Sequence, residues 1–233
     1  MVLHKRGFRS ITRLPGPGQV YLCISDQTTQ VVKFVPARSY PYPEDLHVQL
    51  AQKRIAPKLL SPVKLLPGGF WFVEMEYLDP SEGWTSLLAY QGDVSALEPV
   101  IQKAISAFHQ CLDGKAVHGD LRPPNIFVRV LDGELEVCFI DIDWSGQEGE
   151  AVYPLFLNGS TIAWPVADPV GKQVLQQHDH HMSKEGVIQL KNIRGVGRVE
   201  AFKSKPPTSH LSRPFILSSL NSGCRKWGPV KFC

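Results

Sequence analysis

The chain has 233 residues, with 25 Lys plus Arg against 22 Asp plus Glu and a formal net charge of +3. Its 43% apolar and 20% charged residues exclude a fibrous repeat and a wholly disordered chain. At about 150 residues per domain, the length suits one domain or one domain of two lobes. No stretch approaches the roughly 18 uninterrupted apolar residues of a membrane span. Residues 1–10 are basic but lack the apolar core of a secretory signal, so an intracellular protein, cytoplasmic or nuclear, with no membrane partner is expected.

Taken in chain order, Val20-Tyr21-Leu22-Cys23-Ile24 and Val31-Val32-Lys33-Phe34-Val35 are β-branched and aromatic runs about a polar turn, a hairpin signal. Pro43-Glu44-Asp45 then opens a short helix with Leu46, Leu50 and Ala51 at helical spacing, ending before Pro57. Leu65-Pro67-Gly68-Gly69 marks a turn into an aromatic-rich strand over residues 70–78. Asp93 can cap a helix whose Leu97, Val100, Ile101, Ala104, Ile105 and Phe108 follow the i, i+3, i+4 rule, and Gly114 suits its end. Two further strand runs, residues 126–130 and 135–140, flank Asp132-Gly133, a strong hairpin dipeptide. From Trp144 onward the chain is rich in Gly and Pro and shows little periodicity.

Charge is unevenly placed. Residues 184–233 hold 10 basic and 2 acidic side chains, leaving 15 basic and 20 acidic in residues 1–183. The basic stretch lacks aromatic interleaving or a dense basic cluster, which disfavours nucleic acid as a partner, and it reads as a disordered tail. The five cysteines form no C-x-x-C pair, which argues against a disulfide framework or a thiolate zinc site.

Chemistry concentrates in the loop His118-Gly119-Asp120-Leu121-Arg122-Pro123-Pro124-Asn125 and in Phe139-Ile140-Asp141-Ile142-Asp143-Trp144. Asp120, Asn125 and Asp141 are hard oxygen donors of the sort that magnesium-dependent phosphoryl transfer requires. One carboxylate accepts the proton of an attacking hydroxyl, while an amide and a second carboxylate hold the metal against the phosphates.

On these residues the sequence resembles the protein-kinase-like superfamily. The pattern H-R-D-x-x-x-x-N is met by His118, Asp120 and Asn125, with Gly119 in place of Arg. Leu50-Ala51, the run 56–60, the run 139–144 and His178-Asp179 look like a branch of short fungal kinase-like domains. The resemblance covers roughly residues 14–182 and implies an α+β, two-lobed kinase-like fold. That fold has a small antiparallel-sheet N-lobe (1–78), a truncated, mainly helical C-lobe (79–182) and the basic tail (183–233). It implies ATP and Mg2+ as cofactors and transfer of the γ-phosphate to a hydroxyl acceptor, protein Ser/Thr, by a monomer. Asp120 would be the catalytic base, Asn125 and Asp141 the magnesium ligands, and Lys33 the phosphate-gripping lysine with Glu44 as its helix partner. Asp143 is a second candidate for the metal role of Asp141. Gly18, Val20, Glu76 and Leu78 would contact the nucleotide at the phosphate loop and hinge.

Several departures bear on the mechanism. Arg13, Pro15 and Gly18 fall on the three glycine positions of G-x-G-x-x-G-x-V, so only Gly18 fits. Ile142-Asp143 replaces the Phe-Gly of D-F-G, and no A-P-E segment follows. A catalytically weak nucleotide-binding scaffold is the alternative. So is a small-molecule kinase of the aminoglycoside or choline type, in which Gly at the position of Gly119 is common. His118 reads as a hydrogen-bonding strut of the loop, and the run His178 to His181 as a solvated polar stretch.

Overall fold

β-Branched and aromatic residues decide the first half of the chain, because they pack well on a pleated, half-buried surface. Val31, Val32, Phe34 and Val35 lie in β3 (Thr29–Pro36), which pairs antiparallel with β2 (Gln19–Ile24) and β5 (Phe70–Glu76). β1 (Ser10–Arg13) and β4 (Lys64–Leu66) complete a five-stranded sheet in the order β1-β2-β3-β5-β4. The computed structural model describes residues 3, 6–16, 18–37, 41–155, 157–159 and 162–203, with side chains as far as Arg194. Neither edge strand was expected. β1 is polar and β4 has three residues, too few for an alternation to register.

α1 (Glu44–Gln52) forms where expected and buries Leu46, His47 and Leu50. Its two first-turn acids, Glu44 and Asp45, complement the helix dipole. The chain leaves the sheet after Glu76, and Asp79 accepts the Ser81 amide at 2.8 Å to cap a single 3-10 turn. β6 (Thr85–Ser86) follows, then α2 (Val94–His109), capped by Asp93 accepting from the Ser95 amide at 2.8 Å. The expected stripe is realised: Leu97, Ile101, Ala104, Ile105 and Phe108 are buried in one core with Leu46, Leu50 and Phe139.

A short turn, α3 (Cys111–Gly114), carries Leu112 and Asp113 at positive φ and leads to β7 (Ala116–Val117). β8 (Ile126–Leu131) and β9 (Glu134–Phe139) form the expected hairpin. Asp132 and Gly133 at its tip have φ of 52° and 82°, the left-handed pair that a two-residue turn of this twist demands. β6 pairs with β8, and β10 (Gly146–Gln147) pairs with β7. The molecule is thus α+β, with an antiparallel sheet carrying one helix, followed by a mainly helical part bearing small sheets.

The largest departure comes last. α4 (Gln176–Lys203) is 28 residues long and runs through the expected domain end at residue 182. Asp179, Ser183, Val187 and Leu190 lie at i, i+4, i+8 and i+11 on its inner face and are buried. The helix packs on α2: Gln102 donates to Ser183 Oγ at 3.3 Å and Lys191 pairs with Glu98 at 2.8 Å. The expected tail 183–233 is therefore corrected, since its first 21 residues, 183–203, continue the helix, with Ser183, Val187 and Leu190 buried. The polar residues of that inner face masked the stripe in the sequence. Residues 204–233 lie outside the described residues.

Candidate active site

The loop between β7 and β8 is built from backbone constraints upward. Gly119 sits at φ 86°, where a side chain is strained, and a Cβ there would stand 3.5 Å from Val174 and 3.6 Å from Trp144. That accounts for glycine at the position between His118 and Asp120. His118 is fully buried; its Nδ1 accepts the Asp120 amide at 3.1 Å and its Nε2 lies 3.1 Å from the Ile140 carbonyl. With Nδ1 an acceptor, Nε2 carries the proton and donates, so the imidazole is a strut between the loop and the end of β9.

The loop is also held from below. The carboxylate of Asp179, fully buried on α4, accepts the amides of His118 at 2.8 Å and Gly119 at 2.9 Å. His109 Nε2, at the end of α2, lies 3.0 Å from the same carboxylate. One acid thus ties α2, α4 and the loop together. The solvated reading of residues 178–181 is corrected, because helical periodicity turns His178 and Asp179 inward.

Asp120 is buried and heavily engaged. Arg122 grips it with two donors, Nε on Oδ1 and Nη2 on Oδ2, the latter at 2.7 Å. Asn125 Nδ2 donates to Oδ2 at 2.8 Å and to the Asp120 carbonyl at 2.9 Å. Three of the about four lone-pair sites of a carboxylate are therefore occupied. The bond to Asp120, helped by the Asp120 and Asp141 charges and opposed by burial, shifts the Arg122 guanidinium further up.

Asn125 and Asp141 meet through the backbone: the Ile140 amide donates to the Asn125 carbonyl at 3.0 Å, placing Asp141 next along. Asp141 adopts φ 63° and ψ 46°, a left-handed conformation that a non-glycine residue holds only where its surroundings impose it. It accepts from Lys33 Nζ, 108 residues away in β3. Lys33 also pairs with Asp143 at 2.7 Å. Burial alone would lower the Lys33 ammonium, but the carboxylates of Asp143 and Asp141 outweigh it and hold its pKa above the usual value. Burial raises Asp141, and Lys33 more than offsets that, leaving it below the usual carboxylate range. Asp143 goes up, by burial foremost, opposed by Lys33 and reinforced by Asp141.

The expected Lys33–Glu44 pair does not form. Glu44 accepts the Val63 amide at 3.0 Å, and Lys33 turns to the two aspartates. The physical reason is position: Glu44 starts α1, while the buried residue one turn on is His47.

Val20 stands directly across β2–β3 from Lys33. Gly18 lies just before β2, with the Leu14 amide donating to the Val20 carbonyl at 2.9 Å to close the β1–β2 loop. Glu76 ends β5, and Leu78, two residues on, packs with Trp84 and Cys138. Beside Arg122, Pro123, Pro124, Ile162, Glu185 and Leu190 line a groove of about 220 Å³ along α4. Gly186 closes it tightly, since a Cβ there would meet Pro123 at 2.6 Å.

The donor set can be tested against magnesium on these atoms. Asn125 uses its amide nitrogen on Asp120, which leaves its carboxamide oxygen as the group for a cation. Asp141 has a side chain 44% exposed. Among the described residues no three His, Cys, Asp or Glu converge as a closed metal cage. Two hard oxygen ligands on an open cleft fit an ion that keeps waters and takes further oxygens from substrate phosphates.

No protein-family model matches the sequence, and no curated protein matches it. Among solved structures, the chain is similar to the Cydia pomonella granulovirus kinase PK-1, at 18% identity and a TM-score of 0.49. That similarity covers 64% of this chain and 55% of the viral one, so the chain spans about half of that kinase. It is also similar to the Mycobacterium tuberculosis PknI kinase domain, at 14% identity and a TM-score of 0.46, covering 78% of this chain and 72% of that one.

Proposed function

We propose that the cleft between the five-stranded sheet and the loop 118–125 is the site of a kinase-like phosphotransferase. It would use ATP and Mg2+ and transfer to a hydroxyl acceptor, protein Ser/Thr foremost. The observation that carries this reading is the meeting of Lys33, from the sheet, with Asp141, beside Asn125 and the loop that holds Asp120. Four residues of the kinds that phosphoryl transfer needs, Lys33, Asp120, Asn125 and Asp141, come together although three separate segments supply them.

In this reading adenine lies against Val20 and the backbone of Glu76 and Leu78, and the phosphates run beneath the loop containing Gly18 towards Lys33. Asn125 and Asp141 hold the magnesium ion, which when bound neutralises phosphate charge. Asp120 accepts the proton of the attacking hydroxyl. The hydroxyl oxygen bonds to the γ-phosphorus, the bond from that phosphorus to the β–γ bridging oxygen breaks, and ADP leaves with those electrons. Asp120 has one lone-pair site left by Arg122 and Asn125, and it would receive the proton there. The groove along α4, which Arg122 helps to line, would be the acceptor side. Positioning and charge neutralisation do most of the work in such a transfer.

One observation favours a weaker second reading. Arg122 clamps Asp120 with both donors, and one glycine alone of the phosphate loop is kept, so the cleft could bind nucleotide without turning it over. Labelled ATP with magnesium, offered to protein and small-molecule acceptors, tests the proposal. Transfer lost in Asp120→Ala with nucleotide binding kept supports it. Binding without any transfer selects the scaffold, and a small-molecule acceptor selects the aminoglycoside or choline type.

A further inference from the structure

The grip on Lys33 differs from what the kinase resemblance implies, and the difference reaches beyond one contact. Neither acid of α1 serves the lysine: Glu44 is spent on the Val63 amide and Asp45 is exposed. The buried residue at that level of α1 is His47, and both of its ring nitrogens are committed. One lies 2.8 Å from Tyr42 Oη and the other 2.7 Å from the Pro57 carbonyl. Among the described residues the acid partners of Lys33 are Asp141 and Asp143, two residues of one short segment.

Those two carboxylates are not equivalent. Asp141 opens to the cleft, with its side chain 44% exposed, and is the one placed to serve a cation with Asn125. Asp143 is tucked in, at 16%, and its Oδ1 is buried with no hydrogen-bond partner among the described residues. Lys33 is thus its one ion-pair partner among the described residues. A buried carboxylate with a single cationic partner gives it up only at high cost, because the charge would be left unpaired. The segment that presents Asp143 is itself fixed. Ile142 is buried, the Ser145 amide closes a 3-10 turn on the Ile142 carbonyl at 2.9 Å, and Ser145 Oγ donates to the His118 carbonyl at 3.3 Å.

We infer that Asp143 is the positioning residue for Lys33, in the role that the resemblance gives to the acid of α1. An ammonium has three donors. Asp143 and Asp141 take two, and the third is left to meet a phosphate oxygen. Once Asp141 serves a cation, Asp143 alone keeps the lysine aimed into the cleft. Displacing α1 would then leave the lysine in place, whereas disturbing residues 141–145 would release it. This inference rests on the reading of the cleft as a nucleotide site.

The test uses the full chain and compares affinity for ATP with magnesium against affinity for adenosine, which lacks phosphates. Asp143→Asn is expected to weaken ATP about ten-fold, roughly the loss of one charge-assisted hydrogen bond, and to leave adenosine unchanged. Glu44→Gln leaves both ligands unchanged. Adding Asp143→Asn to Lys33→Gln produces no further loss, since one acts through the other. Asp143→Asn matching or exceeding wild type for ATP overturns the inference. So do an equal loss of both ligands, a loss in Glu44→Gln, or additive losses in the double variant. A wild-type protein that binds neither ligand overturns the nucleotide reading and this inference with it, and is told apart by that.

Discussion

His47 shows how a single residue can set the acid limit of this fold. Burial pushes its imidazole down to about 4 from 6.5, assisted by Lys33 and opposed by the Pro57 carbonyl. The folded pKa is depressed, so the neutral ring is the stabilising form. Its contribution is complete above the unfolded pKa and is lost as pH falls from about 6.5 to about 4. The shift corresponds to about 3 kcal/mol. Denaturant unfolding at pH 7 and pH 4.5 should show this loss in wild type and a much smaller one in His47→Asn, which starts from lower stability at pH 7. At the same scale, the sequence revealed Asp120, Asn125, Asp141 and Lys33 because the first three sit in short motifs and Lys33 lies in a strongly patterned strand. It misplaced Glu44, since proximity in sequence says nothing about which face of α1 meets the sheet. The tie between Lys33 and Asp143 spans more than half the described chain. The one available signal was a second carboxylate in the run Asp141-Ile142-Asp143.

At the scale of elements, α4 is the buttress of the loop 118–125. Asp179 fixes two loop amides and meets His109 from α2, so it links three elements through one side chain. Asp179→Ala leaves two buried amides unpartnered, at about 1–3 kcal/mol for each. It should lower unfolding stability by about 3 kcal/mol or more and speed hydrogen exchange at the His118 and Gly119 amides, while β2, β3 and β5 keep their protection. Uniform loss of protection would instead make Asp179 a general core residue. The strands and α2 were legible because alternation and a regular apolar stripe are strong local signals. α4 was not, since its inner face uses Asp179 and Ser183, and His178 to His181 look solvated until the helix that turns two of them inward is known. The edge strands β1 and β4 owe their place to β2 and β5, partners that a local pattern does not reveal.

For the molecule as a whole, the boundary of the folded part is the main revision. A chain ending at residue 182 loses Val187 and Leu190 from the core and the Lys191–Glu98 pair from the α2 contact. Burial of one such aliphatic side chain contributes about 1.5–3 kcal/mol. With a typical total of about 5–15 kcal/mol, that truncation should abolish the cooperative transition that the full chain shows on thermal unfolding. Among the described residues no helix is long and apolar enough to cross a membrane. The sign of the net charge turns out to be a poor guide: Lys184 and Lys191 belong to the packed part of α4, Asp120 is paired with Arg122, and Asp141 and Asp143 are paired with Lys33. The activity proposed for this cleft is phosphoryl transfer. Its most direct test is transfer from γ-labelled ATP in the presence of magnesium, in wild type and in Asp120→Ala. Transfer is expected in wild type and is lost, by about a hundred-fold or more, in the variant with ATP affinity retained. Transfer at the wild-type rate in Asp120→Ala would contradict the proposal.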